Sequence, residues 1–191
     1  MTTQQPVAKK QPRNIVEFKK LKLNDTDYHV GDTVQIKEYY DDSAYGTIVK
    51  IWKDTNKPDA YVKLRWFYKP ADVFHEDHDF ISRAELFDSD NIQDIWVQSL
   101  YDKVTVLSFE DYHCLDEVDD DVFFSRAVYN YKDGTITPPI SEWKKNCICK
   151  SIINPDTLYV ACDNCWELFH PHCVGISPDD PGEWFCRNCK Q

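Results

Sequence analysis

The first 146 residues hold a single cysteine, Cys114, so nothing upstream of the C-terminal segment offers it a disulfide partner. No apolar leader follows Met1, and no uninterrupted apolar run approaches the length that spans a bilayer. Together these absences predict a reduced, intracellular, soluble protein. Enzyme signatures are missing as well: there is no phosphate-binding glycine loop, no Gly-x-Ser-x-Gly elbow and no metalloprotease motif. His113-Cys114 offers a nucleophile and a base, but adjacent residues rarely orient each other for catalysis. His75-Glu-Asp-His78 has no third ligand fixed beside it and reads as an exposed polar loop. The expectation is a binding protein and not an enzyme.

Positive charge is scarce and lies at one end. Residues 1–22 carry six Lys or Arg against Glu17, a net of +5, which leaves −16 for the rest of a chain whose total is −11. An acidic body repels nucleic-acid phosphates and attracts basic peptides, which argues against a DNA-reading core. The lysine-rich residues 1–26 are read as a flexible basic arm, with DNA contact by that arm as a weak alternative.

Beyond the arm, Gly31-Asp32 marks a turn before the alternating stretch Thr33 to Lys37. Tyr45 to Trp52 and Tyr61 to Tyr68 are rich in aromatic and β-branched residues, with a polar turn at Lys53 to Pro58. Lys103 to Phe109 and Val122 to Tyr131 are further strand candidates, and Ser82 to Phe87 a short turn or strand edge. Short strands at this spacing predict a mainly β fold, barrel-like, ending where Thr137-Pro138-Pro139 breaks the pattern. Order is expected from about Tyr28, and the domain boundary between Thr135 and Lys144. The acidic run Asp116 to Asp121 reads as a solvated loop.

What the sequence has in abundance sits at the end. Cys147-x-Cys149, Cys162-x2-Cys165, His170-x2-Cys173 and Cys186-x2-Cys189 supply eight soft ligands in four close pairs, the number two tetrahedral zinc ions require. So short a segment cannot bury enough apolar surface to fold alone, so two zinc ions must supply much of its folding free energy. The ligand order, with Phe169 before His170 and Trp184 two residues before Cys186, resembles the PHD finger family. That resemblance implies interleaved pairs: Cys147, Cys149, His170 and Cys173 on one zinc, Cys162, Cys165, Cys186 and Cys189 on the other. His172 is then a surface residue. Many PHD fingers bind the histone H3 tail, and the resemblance marks Tyr159, Asp163, Trp166 and Glu183 as candidate peptide contacts. Leu168 and Ile153 stand where methyl-lysine readers of that family carry aromatic cage residues. Asp163 resembles fingers that pair a carboxylate with an unmethylated lysine, and Pro181-Gly182-Glu183 lies where the family often grips the H3 amino terminus.

A second resemblance covers most of the remainder. Arg65-Trp-Phe-Tyr-Lys-Pro70, preceded by Val30-Gly31-Asp32-Thr33-Val34 and followed by Arg83-Ala-Glu-Leu-Phe87, is similar to the signature of bromo-adjacent homology (BAH) domains. Three segments are therefore expected: a basic arm over 1–26, a BAH domain over 27–140 and a PHD-type zinc finger over 141–191. That architecture resembles the plant Short Life and Early Bolting in Short Days family, with matching stretches at Glu85-Leu-Phe-Asp-Ser-Asp90, Asn154-Pro-Asp156 and His170-Pro-His-Cys-Val-Gly175. There, the BAH domain binds trimethylated lysine 27 of histone H3 and the finger binds methylated lysine 4.

Strand geometry bears on the first activity independently. Alternation sends Trp66 and Tyr68 to one face and Phe67 to the other. On strand pattern alone these are ordinary core aromatics. With Tyr45 at the family's third position, the resemblance makes Tyr45, Trp66 and Tyr68 an aromatic cage for a trimethylammonium group, which offers no hydrogen-bond donor and is held by cation–π attraction. Glu76, Asp77, Asp79, Asp88, Asp90 and Asp94 are candidates for steering a basic tail, and Asn91 and Gln93 match positions near the bound peptide only loosely. The resemblance implies a nuclear reader of methylated histone H3 that works with chromatin-repressor subunits in gene silencing, with no membrane contact. Two alternatives remain at this point: a zinc-dependent ubiquitin ligase, and a scaffold subunit of a chromatin complex whose BAH domain only docks proteins.

Overall fold

The computed structural model describes residues 14–37, 43–177 and 182–190. It divides into two compact units: Met1–Trp66 with Ile92–Lys103, and Phe67–Asn91 with Val104–Gln191. Both are built mainly from short strands, as alternation predicts.

The first unit is organised on the twelve-residue strand Ser43–Asp54. One of its edges pairs antiparallel with Thr33–Lys37, in the register Val34 to Gly46, and further along with Ile15–Phe18, in the register Phe18 to Ile51. Thr33–Lys37 pairs in turn with Leu100–Lys103. The buried residues follow the pleat: Val34 and Ile36 on one strand, Val62 and Leu64 on Ala60–Tyr68, joined by Tyr28, Ile48, Ile51, Val97 and Leu100. Gly46 is a close-approach position, since a Cβ there would come within 3.0 Å of the Arg65 carbonyl oxygen and 3.3 Å of Leu64.

Order begins earlier than expected. Residues 1–13 lie outside the described residues, but Ile15–Phe18 forms a strand, and Lys20–Leu23 and Thr26–His29 close a hairpin through Asn24 and Asp25, both at positive φ. The arm expected over 1–26 is thus structured from Ile15. The physical reason is the edge of Ser43–Asp54: Thr33–Lys37 covers only its first part, and Ile15–Phe18 takes the backbone groups left beyond. The neighbouring lysines masked that pattern.

The second unit contains the parallel pair Thr105–Ser108 and Val122–Ser125, the helix Phe109–His113 capped by Ser108, and Val128–Asn130 between Asp88-Ser89 and Thr135–Thr137. The stretch expected as one strand from Val122 to Tyr131 breaks at Arg126, whose side chain turns inward. Two small hairpins, Lys145–Asn146 with Ser151–Ile152 and Val160–Ala161 with Leu168–Phe169, and a helix at Pro171–Val174 complete the C-terminal segment.

No break in packing marks the boundary expected between Thr135 and Lys144. Trp143 is buried, stacks near Phe87, meets Phe80 edge-on and donates its indole N–H to the Pro138 carbonyl at 3.0 Å. Ile152 packs on that cluster, and Ile153, 1% exposed, sits in another with Phe109, Tyr112 and Phe124. Residues on both sides of the boundary therefore share cores.

Candidate zinc centres and the aromatic strand

The eight C-terminal ligands converge as two groups, Cys147, Cys149, His170 and Cys173, and Cys162, Cys165, Cys186 and Cys189. Within each, the ligand atoms lie within 4.8 Å of one another. A tetrahedral zinc with bonds of about 2.3 Å to sulfur and about 2.0 Å to nitrogen requires edges of about 3.8 Å between sulfurs and about 3.5 Å from sulfur to nitrogen. Cys165 Sγ is 3.8 Å from Cys186 Sγ, and His170 Nδ1 is 3.3 Å from Cys149 Sγ and 3.9 Å from Cys173 Sγ. The donor sets fit two zinc ions, and the pairs interleave.

Local backbone prepares the sulfurs. Cys147 and Trp166 hold positive φ in tight turns closed by Lys150 N–H to Cys147 carbonyl and Trp166 N–H to Cys162 carbonyl. The Ser151 side chain, bonded to Cys149 sulfur, draws that thiol down to about 6. Burial works to raise the Cys162 thiol, but backbone N–H groups of Cys186, Cys165 and Asn164 outweigh it and bring it to about 6. Both shifts favour the thiolate that metal binding needs, whereas burial and the neighbouring sulfurs push Cys173 up to about 11 and, against the Glu167 backbone bond, Cys165 up to about 12. His172 is exposed, with Nε2 3.3 Å from Cys173 Sγ, and supports that ligand from outside the group of four.

The other candidate residues of this segment are dispersed. Asp163 exchanges backbone bonds with Trp184, its N–H reaching the Trp184 carbonyl at 3.0 Å and its carboxylate accepting the Trp184 N–H at 2.6 Å. Tyr159 lies against His170 at 4.8 Å between ring centres, and its hydroxyl accepts the Asn154 N–H. Trp166 is 74% exposed, and Glu183 is exposed. Pro181 lies outside the described residues.

Sequence reasoning missed what the loop between the hairpins does. Ile152-Ile-Asn-Pro-Asp156 docks onto residues more than seventy positions earlier. Asn154 Nδ2 donates to the carbonyls of Asp79 and Ile81 at 2.7 and 3.2 Å, and Asp156 accepts from Ser82 Oγ at 2.7 Å and Arg83 N–H at 2.8 Å. Arg126 donates to both Glu85 oxygens at 2.7 and 2.9 Å and to the Ile153 carbonyl at 2.8 Å. Its guanidinium stands 4.6, 5.3 and 4.8 Å from the rings of Phe109, Phe124 and Trp143. Burial pushes the Glu85 carboxyl up and Arg126 draws it back. The two short bonds mark the pair as charged. Ile153 is thus a core residue of this docking, which accounts for the missing aromatic at its position.

In the first unit, Trp66 continues the inward register of Val62 and Leu64, but it is only partly buried where they are fully covered. Tyr45 alternates with Ala44 and the buried Gly46 on Ser43–Asp54, so its ring leaves from the other face of that strand. In the second unit, Tyr68 accepts a 2.8 Å bond from Asn91 Nδ2, meets Tyr129 edge-on at 5.1 Å and stacks with Tyr131 at 5.9 Å. Burial, then the fields of Tyr131, Tyr129 and Asp72, raise its hydroxyl above the ordinary value against the Asn91 bond.

The BAH domain family matches residues 26–139, and the PHD-finger family matches residues 147–189, the span of the eight ligands. The chain belongs to the BAH–PHD family. The Arabidopsis thaliana chromatin remodeling protein SHL is 31% identical over 185 residues, covering 94% of this chain and 80% of that protein. Chromatin remodeling protein EBS of the same plant is 29% identical over 131 residues, covering 67% of this chain and 55% of that protein. The crystal structure of the yeast Rsc2 BAH domain superposes with a TM-score of 0.50 at 19% identity, covering 63% of this chain and 53% of that one, a likeness of fold alone. This BAH–PHD protein is thus of a chromatin family, and its two clusters are the zinc sites of the finger.

Proposed function

We propose that this BAH–PHD protein is a non-catalytic nuclear reader of histone tails, in which Trp66 and Tyr68 hold a trimethylated lysine; Tyr45, third residue of the expected cage, alternates out of the core register that Trp66 continues. Lysine 27 of histone H3 is the mark the family resemblance favours, and gene repression through recruited partners the output. The observation that carries this reading is the strand Ala60–Tyr68, where fully buried Val62 and Leu64 give way to partly buried Trp66 and Tyr68. Aromatic faces at the open end of a core register suit a methylated ammonium better than a sealed core does. The acidic body supports attraction of a basic tail. In the finger, Ile153, Tyr159 and the Asp163 carboxylate are engaged internally, which favours a contact to unmethylated tail or partner through the exposed Trp166 and Glu183.

A methylated-peptide array and titration test the reading. Wild-type protein should select a trimethylated lysine, and Trp66→Ala should weaken that binding about thirtyfold or more, ~2 kcal/mol. Tyr45→Ala, assayed separately, asks whether the third ring takes part. Binding that is indifferent to both methylation and Trp66→Ala would sink the cage and leave a docking scaffold. The ubiquitin-ligase alternative predicts zinc-dependent autoubiquitination that Cys162→Ser abolishes.

A further inference from the structure

Tyr131 is 56% exposed, yet everything around it is fixed. It sits in the turn joining Val128–Asn130 to Thr135–Thr137, which the Gly134 N–H closes onto the Asn130 carbonyl at 2.8 Å. Asp133 accepts from Asn130 Nδ2, from Thr135 N–H and from Thr135 Oγ1. Tyr131 N–H donates to Asp90 Oδ1 at 3.0 Å, and one ring face lies on Tyr68 at an interplanar angle of 22°. Tyr68 is held in turn by Asn91 and by the edge of Tyr129. A solvent-exposed ring locked this firmly, with the Asp90 carboxylate bonded to its own backbone, is a prepared surface for a planar cation.

We infer that the exposed face of Tyr131, with the carboxylate of Asp90, receives a basic side chain flanking the methylated lysine, foremost an arginine. A guanidinium stacks on a tyrosine face, and a neighbouring carboxylate adds charge attraction. The inference rests on the cage reading above and gives it a sequence preference. A peptide with a second cation close to its methyl-lysine gains here, and an otherwise identical neutral peptide does not. Lys132, next in the chain, carries like charge, so the gain depends on the stacking geometry and on Asp90, not on net charge alone.

The test uses the whole protein and synthetic trimethyl-lysine peptides in which one arginine is walked through the flanking positions of an otherwise alanine- and serine-based sequence. Wild type should bind the best-placed arginine peptide about two- to fivefold more tightly than its all-neutral counterpart, the range of an exposed cation–π contact. Tyr131→Ala should erase that ratio while keeping selection for trimethylation. Tyr131→Phe should retain it, which separates stacking from loss of fold. D90N keeps an oxygen for the Tyr131 N–H, removes the charge and should reduce the ratio and its salt dependence. Equal binding of arginine and neutral peptides by wild type overturns the inference, whether or not Trp66→Ala abolishes methyl-lysine binding. An arginine preference lost in Tyr131→Ala, with selection for trimethylation unaffected by Trp66→Ala, upholds the Tyr131 site and overturns the cage instead.

Discussion

Stripping zinc should unfold the finger and also loosen residues Phe109 to Phe124, which carry no ligand. The finger's own core is small, with Cys162, Phe169 and Cys186 at its centre and Val160, Val174, Trp184 and the ligands Cys147 and Cys189 around them. Structural zinc in such modules contributes on the order of 10 kcal/mol to folding, so the metal-free segment does not hold its hairpins. Ile153 then leaves the cluster of Phe109, Tyr112 and Phe124, and Arg126 loses the Ile153 carbonyl. Emptying one large aliphatic position typically costs about 2–5 kcal/mol. Hydrogen exchange before and after chelation reads the outcome directly: protection should fall in the helix Phe109–His113 and in Val122–Ser125. Because the ligand pairs interleave, Cys147→Ser and Cys162→Ser should have the same effect, each releasing both ions in a zinc-release assay. Retained protection from Phe109 to Ser125 in the stripped protein would show that the docking is an ornament.

Arg126→Ala should be among the most damaging single substitutions outside the zinc ligands. Its side chain and that of Glu85 are 6% and 0% exposed, and the change strands a buried carboxylate while removing the guanidinium that lies over three aromatic rings. Breaking such a pair from one side costs about 3–5 kcal/mol. Arg126→Lys should recover little, since one ammonium cannot satisfy two carboxylate oxygens and a carbonyl in the plane of the fork. The informative variant is the double change Arg126→Met with Glu85→Leu, which removes both charges and should regain much of the stability in urea unfolding. If the single and double variants unfold alike, the cost lies in lost packing and not in the stranded charge.

How much of this was legible in the sequence follows from how each feature is encoded. The zinc ligands are written locally: coordination chemistry confines them to short spacings, and nothing else explains seven cysteines within residues 147–189. Strands such as Thr33–Lys37 and Ala60–Tyr68 are also local, because the pleat imposes its period on burial. Ile15–Phe18 was obscured because all four of its residues are exposed, so burial imposes no alternation there and the surrounding lysines set the composition. The docking loop was invisible for another reason. Asn154 and Asp156 meet partners 73 to 75 positions away through single polar contacts, which leave no periodicity. Ile153 even read as a defect in a binding cage, when its hydrophobicity answers a demand made by Phe109 and Phe124. Tyr131 was read only as the end of a strand, because the ring it stacks on lies sixty-three residues upstream.

The Ile152–Asp156 loop has a consequence for transplantation. A finger cut out at its zinc ligands carries off Ile152, Ile153 and Tyr159 from two shared cores, leaving an apolar cavity behind and bearing an apolar face of its own. Fingers from other proteins would not graft onto this chain, nor this finger onto theirs, unless the loop and its receiving residues Asp79, Ser82, Glu85 and Arg126 moved as a set. For engineering, the unit that must move is larger than the metal-binding motif by which it is recognised.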